Sequence, residues 1–484
     1  MRKFEFYEPA EIENKVKRTK VITTIGPSTS TKDDICKLFE SGMNVIRLNF
    51  SHGSHEEHLP KINYVKELRN ELKRPISIML DTKGPEIRVG KFANGQIKVE
   101  RGQHITIYTS HNEYINKECK AGEMTTSYDM SIDLKKGDTV LVDDGKLILK
   151  VKNIKKELIE CEAFNSHIIK TNKRVNLPGV NFSLPFLDDK DKKDILFGIK
   201  QNVDYIAASF VNTHDNILEI RKILKENNGE GIQIISKIES QIGIQNIDKI
   251  IEVSDGVMVA RGDLGLEIPF YEVPYWQKQI IRKCKAEGKI AIVATQMLES
   301  MTDNPSPTRA EITDVYYATE LGADATMLSG ESAAGSYPFL ATSIMATINK
   351  RAELAFYGKI YYDRALSTAK SNIKGKRDEI ACQLAEETRN GECEFAIVAS
   401  RTGALLKSIS KFRPNVTILG VCEDEKFYTK FGACHSIFMN NVDKIDTTFA
   451  SDSELSKIAK FWGAKTNDLI YIARNDSLRK IKVK

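Results

Sequence analysis

The sequence predicts an α/β protein made of a (β/α)8 barrel, an inserted all-β module and a C-terminal open α/β domain. Short apolar runs that stop at polar or glycine residues alternate with helix-like segments, which is the pattern of βα units. Between the third and fourth runs, a long stretch alternates apolar and polar residues as antiparallel hairpins do. With 484 residues, the chain is long enough for several domains.

Eight short runs rich in β-branched residues are the predicted barrel strands. Parallel strands are buried on both faces, so they are expected to be short and almost wholly apolar. The runs span residues 21–27, 44–50, 76–82, 205–210, 232–239, 256–263, 290–296 and 325–331. Eight such units favour a closed barrel, with a doubly wound open sheet as the alternative.

The remaining segments define the other domains. The hairpin-like stretch contains segments such as DTVLVDDGKLILKVKNI, whose pair Asp144-Gly145 is typical of a tight turn. Past the barrel, strands are expected at 395–400, 416–421 and 469–473, with a helix at 404–412 and a frayed or edge-strand tail at 477–484. The predicted division is an N-terminal arm (1–17), the barrel (18–85 and 188–351), the inserted lid (86–187) and the C-terminal domain (352–484).

Composition excludes several classes of protein. There are 71 Lys and Arg against 66 Asp and Glu, and this net charge of +5 argues against a dedicated nucleic-acid binder. Eight scattered cysteines without a C-x-x-C pair predict reduced thiols, as in a cytoplasmic protein. No apolar run has the length of a membrane span, and the first residues lack the apolar segment of a secretory signal.

Charged and polar residues cluster at the ends of five predicted strands. In a (β/α)8 barrel the carboxyl ends of the strands carry the active site. The residues are Arg47, Asn49, Ser51 and His52; Asp81, Thr82, Lys83 and Arg88; Lys237 and Glu239; Arg261, Gly262 and Asp263; Thr295 and Gln296. One coherent set of cations and carboxylates at five ends predicts a catalytic site.

Three of these residues predict metal-assisted phosphoryl transfer. Lys237 and Glu239 are two apart on a strand, so their side chains lie on the same face. The carboxylates of Glu239 and Asp263 are hard oxygen ligands suited to Mg2+ or Mn2+. A lysine beside such an ion stabilises a transferring phosphoryl group. Arg47, Arg88 and Lys190 add cations for phosphate oxygens.

These residues also carry a resemblance. TTIGPST, NVIRLNFSHG, LDTKGPEIR, NLPGVNFSLPFLDDKD, IISKIES, DGVMVARGDLG, ATQMLESM, SPTRAEITDV and MLSGES resemble the pyruvate kinase family in unbroken order from about residue 17 to 355. The resemblance implies a barrel with an inserted lid, and transfer of the phosphoryl group of phosphoenolpyruvate to ADP, giving pyruvate and ATP in glycolysis. It also implies a cytoplasmic homotetramer.

The resemblance implies a role for each site residue. Lys237 would stabilise the transferring phosphoryl group, Arg47 would bind phosphate, and Glu239 and Asp263 would ligate Mg2+. Gly262, Asp263 and Thr295 would hold the substrate carboxylate, with Thr295 beside the enolate carbon and a water relaying the proton. The nucleotide side would comprise Pro27, Asn49, His52, Arg88 and Lys190.

A potassium site is also implied. It matches Asn49, Ser51, Asp81 and Thr82, which offer oxygens and only one negative charge, as a large monovalent cation prefers. Members of the family that need K+ have a glutamate where this chain has Glu86, whereas members that do not need it have a lysine there. The resemblance therefore implies dependence on K+.

The C-terminal domain resembles the family's effector and assembly domain less closely. The turn Ser400–Gly403 leads into a helix and offers amides for a phosphate. The glycine-rich loop of relatives that respond to fructose bisphosphate is replaced by IARNDSLRKIKVK. Fructose bisphosphate is therefore disfavoured, and another phosphorylated effector or none remains open.

Two other functions remain open from the residues alone. A lyase acting on pyruvate-like substrates would be metal-dependent or would use Lys237 as a Schiff base, which requires a lowered pKa. A degenerate barrel kept as an interaction module is the non-enzymatic alternative, and the complete set of catalytic residue types argues against it.

Overall fold

The computed structural model describes residue 12 and residues 15–109, 117–181, 183–358, 360–440 and 446–484. Eight parallel strands form a closed barrel, which confirms the predicted fold and excludes the open sheet. Numbered in chain order with all other strands, they are β1 (Lys20–Thr24), β2 (Val45–Asn49), β3 (Ser77–Asp81), β13 (Tyr205–Ala208), β14 (Gln233–Ile238), β15 (Gly256–Ala260), β16 (Ile290–Ala294) and β17 (Ala325–Leu328). Around the barrel they follow the order β1-β17-β16-β15-β14-β13-β3-β2.

Helices cover the outside of the barrel, and further helices belong to the C-terminal domain. Apolar helix and strand side chains form one buried cluster between the two layers. The helices are α1 (Lys32–Glu40), α2 (His55–Leu72), α3 (Asp189–Lys200), α4 (His214–Glu226), α5 (Gln241–Gln245), α6 (Ile247–Val253), α7 (Arg261–Glu267), α8 (Val273–Ala286), α9 (Arg309–Glu320), α10 (Gly330–Ala333), α11 (Pro338–Gly358), α12 (Ile360–Lys370), α13 (Lys376–Glu387), α14 (Ala404–Phe412) and α15 (Asp452–Phe461).

Several barrel strands end earlier than the apolar runs predicted. β15 pairs with β16 only as far as Ala260, and α7 begins at the next residue, so the prediction of strand to Asp263 was wrong by three residues. In β16 the strand ends at Ala294, because Thr295 and Gln296 adopt positive φ angles of 66° and 52°. Polar residues at these ends therefore lie in turns and first helical turns, not in the sheet.

Within the described residues, the inserted segment between β3 and α3 consists of strands, turns and a short 3₁₀ helix at Met130–Ile132. The strands are β4 (Ile87–Arg88), β5 (Gln96–Val99), β6 (His104–Tyr108), β7 (Glu123–Thr125), β8 (Thr139–Val142), β9 (Leu147–Lys155), β10 (Leu158–Ala163), β11 (His167–Lys170) and β12 (Arg174–Asn176). The larger sheet has the order β4-β12-β8-β9-β10-β6-β7, and β11 pairs with β5. Their inward apolar side chains form a core of their own.

The C-terminal domain contains a five-stranded sheet and packs against the amino-terminal end of the barrel. The order of the sheet is β20-β19-β18-β21-β22, from strands β18 (Phe395–Ala399), β19 (Thr417–Val421), β20 (Ile437–Asn440), β21 (Leu469–Ala473) and β22 (Leu478–Lys482). Tyr205 Oη donates to the Lys430 carbonyl at 2.8 Å, and apolar residues of both parts share one buried cluster. The basic tail is an edge strand, antiparallel to β21. The C-terminal domain therefore leaves the opposite, carboxyl end of the barrel available for an active site.

Three further expectations concern the whole chain. All eight cysteines are free. Within the described part of the chain, no helix combines the length and the apolar character needed to cross a membrane. Most of the predicted N-terminal arm, residues 1–11 and 13–14, lies outside the described residues.

Candidate active site

A buried ion-paired layer lies inside the carboxyl end of the barrel. Asp81, the last residue of β3, accepts hydrogen bonds from Arg47 Nε at 2.6 Å and Lys237 Nζ at 3.0 Å. Arg47 Nη1 also donates to Thr24 Oγ1 at 3.0 Å, and Lys237 Nζ donates to Ser209 Oγ at 2.6 Å. Because neighbouring parallel strands end at the same rim, groups far apart in sequence meet here.

The electrostatics of this layer keep Lys237 charged. Burial opposes ionisation, but Asp81 and Glu239 together raise the pKa of Lys237 above its ordinary value. Burial also opposes ionisation of Asp81, yet Arg47 and Lys237 lower its pKa. A Schiff-base lysine needs a lowered pKa. This environment therefore disfavours a Schiff-base lyase.

Glu239 is a buried carboxylate directly after β14. Its Oε1 lies 3.1 Å from Lys237 Nζ, and its Oε2 accepts the Phe210 amide hydrogen at 2.7 Å. Burial raises the pKa of Glu239; Lys237 opposes the rise, and the negative charge of Asp263 adds to it. The two carboxylates therefore repel each other, and a cation between them would relieve that repulsion.

Gly262 and Thr295 form a second contact across the rim. The Gly262 amide donates to Thr295 Oγ1 at 2.8 Å, and that hydroxyl donates to the Ala294 carbonyl at 2.6 Å. Arg261 Nη2 donates to the Thr295 carbonyl at 2.6 Å. A threonine with φ of 66° is strained, and these bonds hold it in place. The Gly262 amide, predicted to hold a substrate anion, thus contacts Thr295 here.

Most of the predicted site residues line one cavity of about 110 Å³ at the carboxyl end of the barrel. The cavity is also bounded by the first and last strands of the inserted sheet. The predicted residues on its wall are Arg47, Asn49, Ser51, His52, Lys83, Arg88, Lys237, Glu239, Asp263 and Thr295.

Comparison with known proteins assigns the chain to a family. Residues 16–342 match the model of the pyruvate kinase barrel domain. The chain is 41% identical to a pyruvate kinase of Clostridium acetobutylicum over 469 residues, 93% of this chain and 97% of that protein. The chain belongs to the pyruvate kinase family. A pyruvate kinase of Bacillus licheniformis is 44% identical over 427 residues, covering 87% of this chain and 72% of that one.

A solved structure agrees over nearly the whole chain. The crystal structure of a pyruvate kinase from Cryptosporidium parvum superposes with a TM-score of 0.89 at 34% identity, covering 97% of this chain and 96% of that one. The protein is thus an enzyme with pyruvate kinase activity, EC 2.7.1.40. The resemblance found in the sequence motifs is confirmed.

Five of the residues to which the resemblance assigns a role lie outside the cavity wall. Asp81 and Thr82 are buried, Asp81 is bonded to Arg47 and Lys237 of the wall, and Gly262 contacts Thr295. Lys190 Nζ donates to the Phe50 carbonyl at 2.6 Å and lies 2.7 Å from Asp194 Oδ2. Pro27 begins a short 3₁₀ turn after β1.

Arg174 is the residue that sequence reasoning missed. It lies on β12 and forms ion pairs with Glu86, at 2.6 Å, and with Asp263. It lines the cavity together with Ser209 and Phe210, which were also not predicted as site residues. Its sequence signal is a cation two residues before the motif NLPGVNFSLPFLDDKD, and nothing in the spacing connects it with Asp263.

The donor set fits a divalent ion with few protein ligands. Among the described residues, no group of three or more His, Cys, Asp and Glu side chains is arranged to hold a metal. Glu239 and Asp263 provide two carboxylates, and Mg2+ commonly completes such a set with water and substrate oxygens. For a monovalent ion, Asn49 and Ser51 lie on the cavity wall, and Asn49 is in register with the buried Asp81 on the neighbouring strand.

Proposed function

We propose that this cavity is the catalytic centre in which phosphoenolpyruvate and ADP react to form pyruvate and ATP. The observation that carries the proposal is the convergence of Arg47, Lys237, Glu239, Asp263 and Thr295 on one cavity. Cations for the phosphoryl group, carboxylates for a metal and a hydroxyl for the enolate side lie within one small volume. This combination suits phosphoryl transfer followed by protonation of an enolate.

Lys237 is proposed to stabilise the phosphoryl group in transfer, and Arg47 to bind it. Asp81 holds both side chains, at 3.0 and 2.6 Å, so their positions are set before substrate arrives. Preorganised charge of this kind lowers the barrier because it needs no rearrangement during the reaction. The raised pKa of Lys237 supports a role as a fixed charge.

Glu239 and Asp263 are proposed to bind Mg2+, or Mn2+ in its place. When bound, such an ion neutralises charge on the phosphoryl oxygens. Asn49, Ser51, Asp81 and Thr82 are proposed to bind K+. Asp81 contributes to this second site mainly through its charge, since both its oxygens already accept hydrogen bonds from Arg47 and Lys237.

Gly262, Asp263 and Thr295 are proposed to hold the substrate carboxylate. Thr295 lies at the enolate side, where a water relays a proton to the carbon that becomes the methyl group. Its hydroxyl accepts the Gly262 hydrogen bond and donates to Ala294, so it is oriented but already engaged. Pro27, Asn49, His52, Arg88 and Lys190 are proposed for the nucleotide.

The inserted sheet, residues 86–187, is proposed to be a lid that excludes water from the cavity. The C-terminal domain, residues 352–484, is proposed to serve assembly into a homotetramer and effector binding, and the enzyme to act in the cytoplasm. The resemblance of the lid and assembly regions to the family supports these roles. No nucleic acid is expected as a partner, given the small net charge of +5.

A coupled assay of pyruvate formation from phosphoenolpyruvate and ADP tests the site and its cations together. Rates are measured with Mg2+, Mn2+ or a chelator, each in K+, NH4+ or Na+ buffer. We expect activity to require a divalent ion, and to be very low when Na+ is the only monovalent ion. Full rates in Na+ alone would refute the potassium site, and full rates with chelator would refute the divalent one.

A further inference from the structure

The side chain of Arg174 connects the inserted sheet to the barrel at a proposed metal ligand. Arg174 lies on β12, whose main chain pairs with β4 at Arg88. Its Nη2 donates to Glu86 Oε1 at 2.6 Å, and its Nη1 donates to Asp263 Oδ1. Across the described ranges, Asp263 forms no other ion pair.

Glu86 holds Arg174 independently of Asp263. The Glu86 side chain is fully buried, and its Oε2 accepts hydrogen bonds from Arg88 Nε at 3.0 Å and Nη2 at 2.7 Å. Its Oε1 faces Arg174. Arg174 therefore has two partners, one on each side of the junction, and loss of the Asp263 contact leaves the Glu86 contact in place.

A guanidinium and a metal ion compete for the same carboxylate. The Asp263 side chain is 18% exposed and that of Arg174 25% exposed, so solvent screens their charges only partly. Two cations in contact with one carboxylate oxygen lie within about 4 Å of each other, where their repulsion is substantial. Either cation alone therefore neutralises Asp263, and simultaneous contact of both cations with it is unfavourable.

We propose that Arg174 and a divalent cation are alternative partners of Asp263, so that metal binds to the substrate-free enzyme only by displacing Arg174. The inference rests on the proposed ligand pair Glu239 and Asp263. Displaced from Asp263 but held by Glu86, the guanidinium remains beside the cavity, where a substrate anion is a new partner. Metal and substrate then favour each other's binding, because each stabilises the same arrangement of Arg174.

Arg174 is thus a positioning residue that sets metal affinity, and the direct test is metal binding without turnover. Free Mn2+ is measured by electron paramagnetic resonance with the substrate-free protein. We expect Arg174→Gln to bind Mn2+ about tenfold more tightly than the wild type. Lys173→Gln is the matched control: it removes the same charge from the adjacent residue, whose ion pair is with Asp143 at 2.8 Å. Its affinity should stay within about twofold.

Further variants separate the possible failures. Arg174→Lys keeps the charge but cannot bridge two carboxylates as a guanidinium does, so we expect intermediate tightening; it also serves if the glutamine variant does not fold. If Glu239→Gln and Asp263→Asn weaken Mn2+ binding but both Arg174 variants match the wild type, the competition is refuted and the ligand pair stands. If Glu239→Gln and Asp263→Asn bind Mn2+ normally, the ligand pair itself is wrong, and this inference falls with it.

Discussion

Arg174, on the last strand of the inserted sheet, forms an ion pair with Asp263 in the first turn of a barrel helix. The two residues lie 89 positions apart in sequence and belong to different parts of the fold. Their contact places a lid residue directly on a proposed metal ligand. In the proposed function, the position of the lid and the binding of metal are therefore connected at one carboxylate.

Replacement of Lys237 by Met is predicted to remove most turnover. The variant loses the charge proposed to stabilise the phosphoryl group, and loss of one such donor costs about 100-fold or more in kcat. Binding of phosphoenolpyruvate, followed by tryptophan fluorescence or calorimetry, should remain measurable. Lys222→Met, at a side chain that is 75% exposed, is the control and should keep full activity. A kcat within tenfold of the wild type would show that Lys237 has another role.

Replacement of Asp81 by Asn is predicted to weaken both folding and catalysis. Asp81 neutralises two buried cations, Arg47 and Lys237, and removal of one partner from a buried ion pair costs about 3–5 kcal/mol. A thermal unfolding scan should show a clearly lower midpoint, and kcat should fall with it. Asp215→Asn, at a side chain 77% exposed, should leave both unchanged. An unchanged midpoint for Asp81→Asn would contradict the buried network.

Glu267 is predicted to make stability depend on pH. Burial raises the pKa of this carboxyl from 4.5 to about 7. Since the folded state favours the neutral acid, stability is highest below pH 4.5 and falls as the pH rises to about 7, by up to about 3 kcal/mol. Glu267→Gln should therefore be more stable than the wild type at pH 8, with a smaller advantage at pH 5. An equal difference in stability between Glu267→Gln and the wild type at pH 5 and pH 8 would contradict a raised pKa. Glu226→Gln, at an exposed side chain, is the control.

Binding of substrates is predicted to compact the protein. If the inserted sheet is a lid, a substrate, a divalent metal and a non-reactive nucleotide together should draw it over the barrel mouth, because closure excludes water from the reacting groups. Small-angle X-ray scattering should record a smaller radius of gyration with all three ligands than with none. An unchanged radius would favour a rigid spacer instead.

The fold was largely predictable from the sequence because its signals are local. Short apolar runs such as 290–296 predict buried parallel strands, and the turn pair Asp144-Gly145 lies between β8 and β9, whose antiparallel pairing requires a turn there. The positions of the strand ends were predicted less accurately. Polar residues follow Ala260 and Ala294. Whether such residues extend the strand or leave the sheet depends on pairing with the neighbouring strand, and the pairing of β15 with β16 stops at these two alanines.

The sequence by itself determined the barrel, the inserted strands and the kinds of chemical group at the strand ends, since hydrophobic periodicity and motif residues are properties of short segments. Only the tertiary structure decided which groups share a contact. Three contacts depend on distances between segments that no local pattern encodes. They are the ion pairs of Asp81 with Arg47 and Lys237, the hydrogen bond between Gly262 and Thr295, and the ion pair of Arg174 with Asp263.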